Sequence, residues 1–312
     1  VSVLALAVLL DLAAGEPPGR WHPVTWIGGV ISAGRRWAAR RAPGHPVGAG
    51  ALLLVVVIEA AVLGVLVVEH AARLLPGPLA LLAQAWLLKL SFSLRGLEQA
   101  VELVRGHLVA DDLAGARAGL SRHLVSRPTG DLDAGLVASA AVESLAENLT
   151  DSWVSPLCCF VAGAALGGVD AGIACAWAYR AVNTADAMIG YREAELERLG
   201  RIAARADDAL NFLPARLAAW LLVAAAGLAG TSPGRARAIL RRHGRRTASP
   251  NAGLTMAAMA GALGVTLEKR GHYRLGDGPA PDPARIDRAL RVWRWAAALA
   301  LALALVVLGA LR

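Results

Sequence analysis

The sequence predicts an all-α, polytopic integral membrane protein with four to six apolar membrane segments joined by amphipathic cytoplasmic helices. Three observations predict it. First, 56% of the 312 residues are hydrophobic and only 18% charged, with a mean hydropathy of +0.50, too apolar for a water-soluble domain of this length. Second, the apolar residues are gathered into long runs rather than spread along the chain. Third, no stretch alternates with the period of a strand. The low charge density excludes disorder, and 33 Gly and 15 Pro without a repeat exclude a collagen-like or low-complexity chain.

A bilayer core takes roughly 20 apolar residues of helix. Segments near 49–68, 152–169, 217–234 and 293–311 are the expected spans, the first interrupted by Glu59. Those at 1–14 and 74–90 are short enough to be interfacial, re-entrant or tilted. The first carries no basic stretch ahead of its apolar run. Asp11, Glu16 and Pro17 follow it in place of a small-residue cleavage site, so it is read as retained and not as a signal peptide. Trp293 and Trp295, with Arg291 and Arg294, form the belt expected at the mouth of the last span. The polar connections fall at 15–41, 89–135, 190–212 and 231–289, and the whole of 1–312 reads as one membrane-embedded domain. Within them Leu97–Leu124 places Leu, Val and Ala at helical spacing, with Glu98, Glu102, Arg105, Asp111, Asp112 and Arg117 elsewhere, as amphipathic helices outside the bilayer do.

The net charge of +8 is carried by arginine, since only Lys89 and Lys269 are lysines. Arginines cluster at Arg35, Arg36, Arg40 and Arg41 and again from Arg235 to Arg246. Positive-inside bias puts such connections at the cytoplasmic face of the cell membrane, which requires one apolar segment not to cross, and no nucleic-acid partner is needed to explain them. Cys158, Cys159 and Cys175 lack metal-ligand spacing and imply no disulfide framework.

The densest polar constellation lies in an apolar setting. Glu143, Glu147 and Asp151 fall at i, i+4 and i+8, so a helix aligns them in one row with Asn148 alongside. Like charges in a row repel, and solvent on an exposed helix face, an arginine from a neighbouring helix or a hard cation with oxygen ligands, most simply Mg²⁺ carrying a nucleotide or phosphorylated substrate, relieves the repulsion. Glu147 and Asp151 are the candidate metal ligands. A second set, Arg180, Asn183, Thr184 and Tyr191 on one face with Asp186 beside it, suits a phosphate or polyamide ligand, or else a buried network that fixes helix register. A third, Asp207, Asp208, Asn211 and Arg216, precedes an apolar run in which Pro214 fits the first turn. There Arg216 is a phosphate candidate, and Asp208 and Asn211 are cation contacts or simple caps. Ser249 and Asn251 have the same turn-then-helix form. His22 and His272 lie in loops rich in Gly or Pro and are candidate bases or ligand contacts. Glu59, alone in a span, is a functional candidate or the partner of an arginine. The chain has no P-loop, dinucleotide fingerprint, nucleophile elbow or H-E-x-x-H motif, so any nucleotide is held by helix-borne groups.

Six stretches in order, Asp11–Gly28 (DLAAGEPPGRWHPVTWIG), Glu143–Ser152 (ESLAENLTDS), Tyr179–Arg192 (YRAVNTADAMIGYR), Asp207–Arg216 (DDALNFLPAR), Ser249–Gly261 (SPNAGLTMAAMAG) and Leu267–Gly278 (LEKRGHYRLGDG), together resemble the CobD/CbiB family of cobalamin biosynthesis. Position 16 carries Glu where the family pattern leads one to expect Asp. The resemblance implies a membrane-bound adenosylcobinamide-phosphate synthase, an acid–amine ligase that joins adenosylcobyric acid to aminopropanol or its O-phosphate with ATP as co-substrate and Mg²⁺ as cofactor. Its partners would be the corrinoid, the amine donor, the lipid bilayer and other cobalamin-pathway enzymes. On that reading Glu143, Glu147 and Asp151 are catalytic. Asn148, Arg180, Asn183, Asp186, Asp208, Asn211, Arg216, Ser249, Asn251, His22 and His272 bind substrate or phosphate.

Two other classes fit the residues less closely. An intramembrane Mg²⁺-dependent prenyltransferase would clamp a pyrophosphate between acids, but its paired acidic motifs are only loosely approximated here, and Asp277–Gly278 with Ala284–Arg285 has the wrong spacing for a CDP-alcohol phosphotransferase. A transporter or membrane scaffold would use the intramembrane charges as a path or as register pairs.

Overall fold

The computed structural model describes residues 1–190 and 196–311. Among these the backbone is helical almost throughout, in the order α1 (Ser2–Ala14), α2 (Pro23–Arg41), α3 (Pro46–Ala72), α4 (Gly77–Lys89), α5 (Arg95–Val109), α6 (Leu113–His123), α7 (Ala134–Leu149), a π-helical turn (Thr150–Val154), α8 (Ser155–Ile189), α9 (Arg201–Leu210), α10 (Phe212–Leu228), α11 (Pro233–His243), α12 (Ala252–Leu263), the strands β1 (Thr266–Lys269) and β2 (Tyr273–Gly276), and α13 (Pro283–Ala310). Several helices begin where a side chain satisfies the free N–H groups of the first turn. Asp112 accepts from Gly115 N at 2.8 Å, Asp133 from Leu136 N at 2.9 Å and Ser232 from Arg235 N at 3.2 Å.

Among the described residues three helical runs are long and apolar enough to cross a membrane, Pro46–Ala72, Ala134–Ile189 and Pro283–Ala310, and a fourth is obtained if Arg201–Leu210 and Phe212–Leu228 are counted as one span. α3 exposes Leu52, Val55, Val56, Leu63, Leu66, Val67 and Val68, and α13 exposes Leu303, Val306 and Val307. Apolar faces of that extent belong in lipid and not in water. The segments at 1–14 and 74–90 become α1 and α4, each of 13 residues, or about 20 Å of helix, too short to span the ~30 Å hydrocarbon core. The expected span at 152–169 is part of the longer run Ala134–Ile189 and contains a sharp turn.

That turn is set by glycine. Gly168 has φ 78, a left-handed backbone that L side chains rarely adopt. The two limbs of α8 then fold back on each other so closely that a Cβ on Gly172 would stand 2.7 Å from the Phe160 carbonyl oxygen, and one on Gly163 2.5 Å from that of Ala171. A Gly172→Val variant therefore forces the limbs apart, with an expected loss of about 1–3 kcal/mol, read as a lowered thermal midpoint in detergent.

The chain divides into two compact units. Unit 1 comprises Val1–Ser93, Ser155–Leu210 and Ala304–Arg312; in it α3 packs on α2, α8 and α9, and α1 packs on α4. The Trp177 indole N–H donates to the Leu87 carbonyl at 2.9 Å and ties α8 to α4. Unit 2 comprises Leu94–Val154 and Asn211–Leu303. Its core includes Val104 from α5, Leu120 from α6, and Leu136, Val137 and Ala140 from α7, so the apolar stripe read in Leu97–Leu124 faces α7, as its spacing requires.

The hairpin of β1 and β2 is a departure from the sequence reading, which contains no strands. Leu267 pairs with Leu275 and Glu268 with Arg274; both leucines are fully buried. Four residues per strand are too few for alternation to stand out from a helical pattern. The pair is held to α11, where the Gly276 N–H donates to His243 Nδ1 at 2.9 Å. Burial, reinforced by Arg246 and Arg242, holds the folded His243 below its ordinary value of 6.5. The unfolded chain thus takes up this proton first as pH falls, so the contribution is fully present above pH 6.5 and is lost as pH drops through the folded value. Thermal midpoints taken from about pH 7.5 to about pH 5 should fall, and a His243→Gln variant should flatten that fall.

Candidate active site

The acidic row forms on α7 and the π-helical turn of unit 2, and its members differ in accessibility. Glu143 is 5% exposed, whereas Glu147, Asn148 and Asp151 are half-buried. One Glu143 oxygen accepts from the Ser139 hydroxyl at 2.6 Å and the other from the Tyr273 hydroxyl at 2.9 Å. Ser139 Oγ in turn accepts from the Glu268 N–H at 2.7 Å. Strand β1, the serine, the glutamate and the tyrosine of β2 make one hydrogen-bonded chain that anchors the hairpin to α7. The carboxylate that the sequence pairs with a cation or an arginine is met here by neutral hydroxyl donors. Burial, then the Glu143 charge and its hydrogen bond, then Glu147, push the Tyr273 hydroxyl far above its ordinary value, so it stays protonated and donates.

Further along the row the side chains are locked to the helix itself. Asn148 Nδ2 donates to the Ser144 carbonyl at 2.9 Å and accepts at Oδ1 from the Ser152 hydroxyl at 3.1 Å, while the Ser144 hydroxyl donates to the Leu124 carbonyl at 3.0 Å. The chain then widens into the π-helical turn Thr150–Val154, with Asp151 in its first residues. Such turns shift the register of the succeeding helix and recur at functional sites. Thr150 Oγ1 is buried there with no hydrogen-bond partner among the described residues.

Also in unit 2, Arg216 lies one turn into α10, its guanidinium over the Phe212 ring at 3.5 Å from the centroid and 3.4 Å from the side-chain oxygen of Asn251. Asn211 and Asn251 are buried residues at the N-termini of α10 and α12, and neither makes a side-chain capping bond to its own helix. The turn before α12 is closed instead by Ser249 Oγ, which accepts from Asn251 N at 3.2 Å, and by Thr247 Oγ1, which accepts from Gly253 N at 3.1 Å. Pro214 occupies the first turn of α10 as its sequence position requires. His272 is exposed at the tip of the hairpin.

The remaining candidates belong to unit 1. Arg180 donates to the side-chain oxygen of Asn183 at 3.4 Å, and Asn183 donates to buried Asp207 at 3.2 Å, so the second and third sequence clusters meet across α8 and α9. Asp186 and Asp208 are half-buried on the same two helices. Tyr191 lies outside the described residues. Thr184 turns back on the helix and donates to the Arg180 carbonyl at 2.7 Å. Glu59 is exposed on α3.

His22 has partners that its sequence setting does not announce. It caps α2 by accepting from Val24 N at Nδ1, 3.2 Å, which leaves Nε2 to donate to Glu16 at 3.0 Å. Glu16 also accepts from Lys89 at 2.9 Å, and Lys89, fully buried, stands 3.6 Å from fully buried Asp11. Burial resists ionisation of Glu16, but the hydrogen bonds from His22 and Lys89 outweigh it and hold the carboxyl at about 2. Sequence reasoning also missed a polar knot at the end of α3, where Gln84 donates to Glu69 at 2.8 Å and to Asp170 at 3.0 Å and Arg73 pairs with Asp170. A lone charge in an apolar run was the available signal for Lys89 and Glu69. Tyr273 lies within the stretch Leu267–Gly278, but nothing there marks it as a partner of Glu143, and nothing marks Ser139.

Among the described residues no group of three or more His, Cys, Asp or Glu side chains gathers as a metal-binding set. Mg²⁺ needs less protein than that, since one or two carboxylates with substrate phosphates and water complete its octahedron. Glu147 and Asp151 meet that lesser requirement by residue type and by their partial exposure.

The CobD/CbiB protein family model matches residues 4–301. A probable cobalamin biosynthesis protein CobD of Methanothermobacter thermautotrophicus is 43% identical over 277 residues, which cover 89% of this chain and 87% of the relative. A cobalamin biosynthesis protein CobD of Dehalococcoides mccartyi is 38% identical over 279 residues, covering 89% and 87%. A probable cobalamin biosynthesis protein CobD of Thermococcus kodakarensis is 39% identical over 303 residues, covering 97% and 94%. No solved structure matches significantly. With its polar stretches, its helical membrane architecture and this match along nearly its whole length, the chain belongs to the CobD/CbiB family.

Proposed function

We propose that this chain is a cobalamin-biosynthetic acid–amine ligase of the cell membrane, which joins the free propionate carboxyl of adenosylcobyric acid to the amine of aminopropanol or of its O-phosphate, with ATP hydrolysis driving the step. Family membership and the names of the relatives support the pathway. The observation that carries the chemistry is the division of labour within the acidic row. Glu143 is buried and takes two hydroxyl donors, while Glu147 and Asp151 are half-buried, partly reachable from outside, beside a π-helical turn.

A carboxylate does not condense with an amine at neutral pH until its oxygen becomes a leaving group. Transfer of the γ-phosphoryl of ATP to that oxygen gives an acyl phosphate and ADP. The amine lone pair then attacks the acyl carbon, the C–O bond to phosphate breaks, inorganic phosphate departs, and a carboxylate of the row takes the proton that leaves nitrogen. Held by Glu147 and Asp151, Mg²⁺ would offset negative charge on the transferring phosphoryl group. Arg216, with Asn251 and Asn211 at two helix N-termini, supplies a phosphate-binding set within the same unit. The Arg180, Asn183 and Asp207 network, with Asp186 and Asp208, is proposed as a second polar subsite for an amide or phosphate group. His22, Ser249 and His272 remain binding candidates, although His22 and Ser249 already serve local structure.

The test is a reaction with purified protein, adenosylcobyric acid, MgATP and either aminopropanol or its phosphate. The expected result is a corrinoid heavier by the amide-linked amine, with one ADP and one phosphate formed per amide. Absence of amide with both amine donors overturns the proposal. Pyrophosphate release from an isoprenoid donor would mark a prenyltransferase, and corrinoid flux into vesicles without covalent change would mark a transporter.

A further inference from the structure

We propose that the groove between α2 and α3 binds an anionic phospholipid, its acyl chain lying along the groove and its phosphate held by Arg40 and Arg41. Two cavities of about 290 Å³ and 360 Å³ lie along these helices in unit 1, the first lined also by Leu87 of α4 and Trp177 of α8, and Val30 borders both. Because they share Val30 and are lined by successive positions on α2 and α3, we take them as one trough, near the range of about 300–1,000 Å³ at which clefts take a ligand. Its walls are apolar, with Trp26, Val30 and Trp37 from α2 facing Leu52, Val56 and Val65 from α3. From Leu52 to Val68 the trough follows α3 for about 24 Å, long enough for an extended acyl chain.

The spacing on α2 shows what lies at the end of the trough. Trp26, Val30, Gly34 and Trp37 line it at steps of three or four residues, and the next such steps from Trp37 land on Arg40 and Arg41. Arg35 and Arg36 stand on the flank, and all four arginines are exposed. No acidic residue occurs between Arg20 and Glu59, and none of the four arginines is ion-paired among the described residues. Elsewhere Arg73, Arg235, Arg242, Arg270 and Arg294 each hold a carboxylate. Unpaired guanidinium forks at the mouth of an apolar trough, on a helix packed against a membrane span, match a phosphate joined to a hydrocarbon chain. Trp37, 47% exposed, stands between the two, where the indole favours the boundary of headgroup and chain. The inference rests on unit 1 alone and is independent of the ligase reading.

The full chain in detergent is mixed with vesicles of equal parts phosphatidylglycerol and phosphatidylcholine, repurified, and its retained lipid measured by mass spectrometry. The wild-type protein should retain phosphatidylglycerol over phosphatidylcholine by about tenfold. Arg40→Gln with Arg41→Gln should bring that ratio to about one, while Arg20→Gln, the same charge change at the other end of α2, leaves it intact. Val30→Trp fills the trough and should lower retention of both lipids. Equal retention of the two lipids by the wild type, or a preference that survives the double substitution at 40 and 41, overturns the site. Undiminished lipid in Val30→Trp overturns the placement of the chain.

Discussion

Glu147→Gln should lose amide formation by about 10²–10⁴-fold, the range over which a positioned proton-transfer group contributes, with membrane insertion intact. The substitution preserves the size of the side chain and removes only its charge, at a half-buried position. Glu143 and Asp151 lie four residues to either side, and like charges at that spacing repel by about 0.2–0.5 kcal/mol. Because Gln keeps the size and a hydrogen-bonding oxygen at this half-buried position, thermal stability should stay within about 1 kcal/mol of the wild type. Loss of turnover with an unchanged thermal midpoint assigns Glu147 to the chemistry. Normal turnover removes the row from the mechanism, and a joint fall of both makes it structural. Tyr273→Phe supplies the contrast, because it strips a donor from an oxygen of buried Glu143 and should lower stability by about 1–3 kcal/mol.

Lys89→Met should destabilise unit 1 by about 3–5 kcal/mol, the usual consequence of removing one partner of a buried ion pair. Lys89 and Asp11 are both fully buried, and Glu16 lies 2.9 Å from the ammonium group. Without the cation, fully buried Asp11 loses its ammonium counter-charge, while Glu16 keeps its bond from His22, so the cost falls mainly on Asp11. Lys89 ends α4, where a cation is also favoured by the helix dipole. The loss should show as a fall in the thermal midpoint and in monodispersity in detergent. Adding Asp11→Asn to Lys89→Met should recover a measurable part of it, since the second change removes a buried negative charge that has lost its ammonium counter-charge. Failure of the double variant to recover would mean that Lys89 acts through packing and not through charge.

The two variants bear on different kinds of legibility. The spacing of the acidic residues could be read directly, and Glu143 and Glu147 lie one turn apart on α7, but the π-helical turn that holds Asp151 changes the step on which its place in the row depended. The amphipathic stretch Leu97–Leu124 was legible from its spacing too, and α5 and α6 bury the stripe it implied. Pro214 likewise sits in a first turn, where its missing N–H has no partner to lose. The donors that satisfy Glu143 were not legible. Tyr273 lies 130 residues away in sequence, in a hairpin too short to show its period. The same holds for the Asn183–Asp207 bond, which joins two clusters that looked independent, and for His22, whose cap and carboxylate partner depend on how one loop turns. The span expected at 152–169 has the right composition, but Gly163, Gly168 and Gly172 permit a fold-back that composition does not register.

Local order in this protein was written into the chain itself: helices, an apolar share that demands lipid, an acidic edge on α7 and an arginine tract at the end of α2 all follow from residue type and spacing. Tertiary structure alone decided which of those charges find partners. Glu143 is satisfied by hydroxyls, Asp11 and Glu16 meet Lys89, and Asp207 meets Asn183, while Arg40 and Arg41 are exposed without a carboxylate partner among the described residues. The physical reason is that helical periodicity is a property of neighbouring residues, whereas neutralising a buried charge depends on a donor that the fold brings from far along the chain.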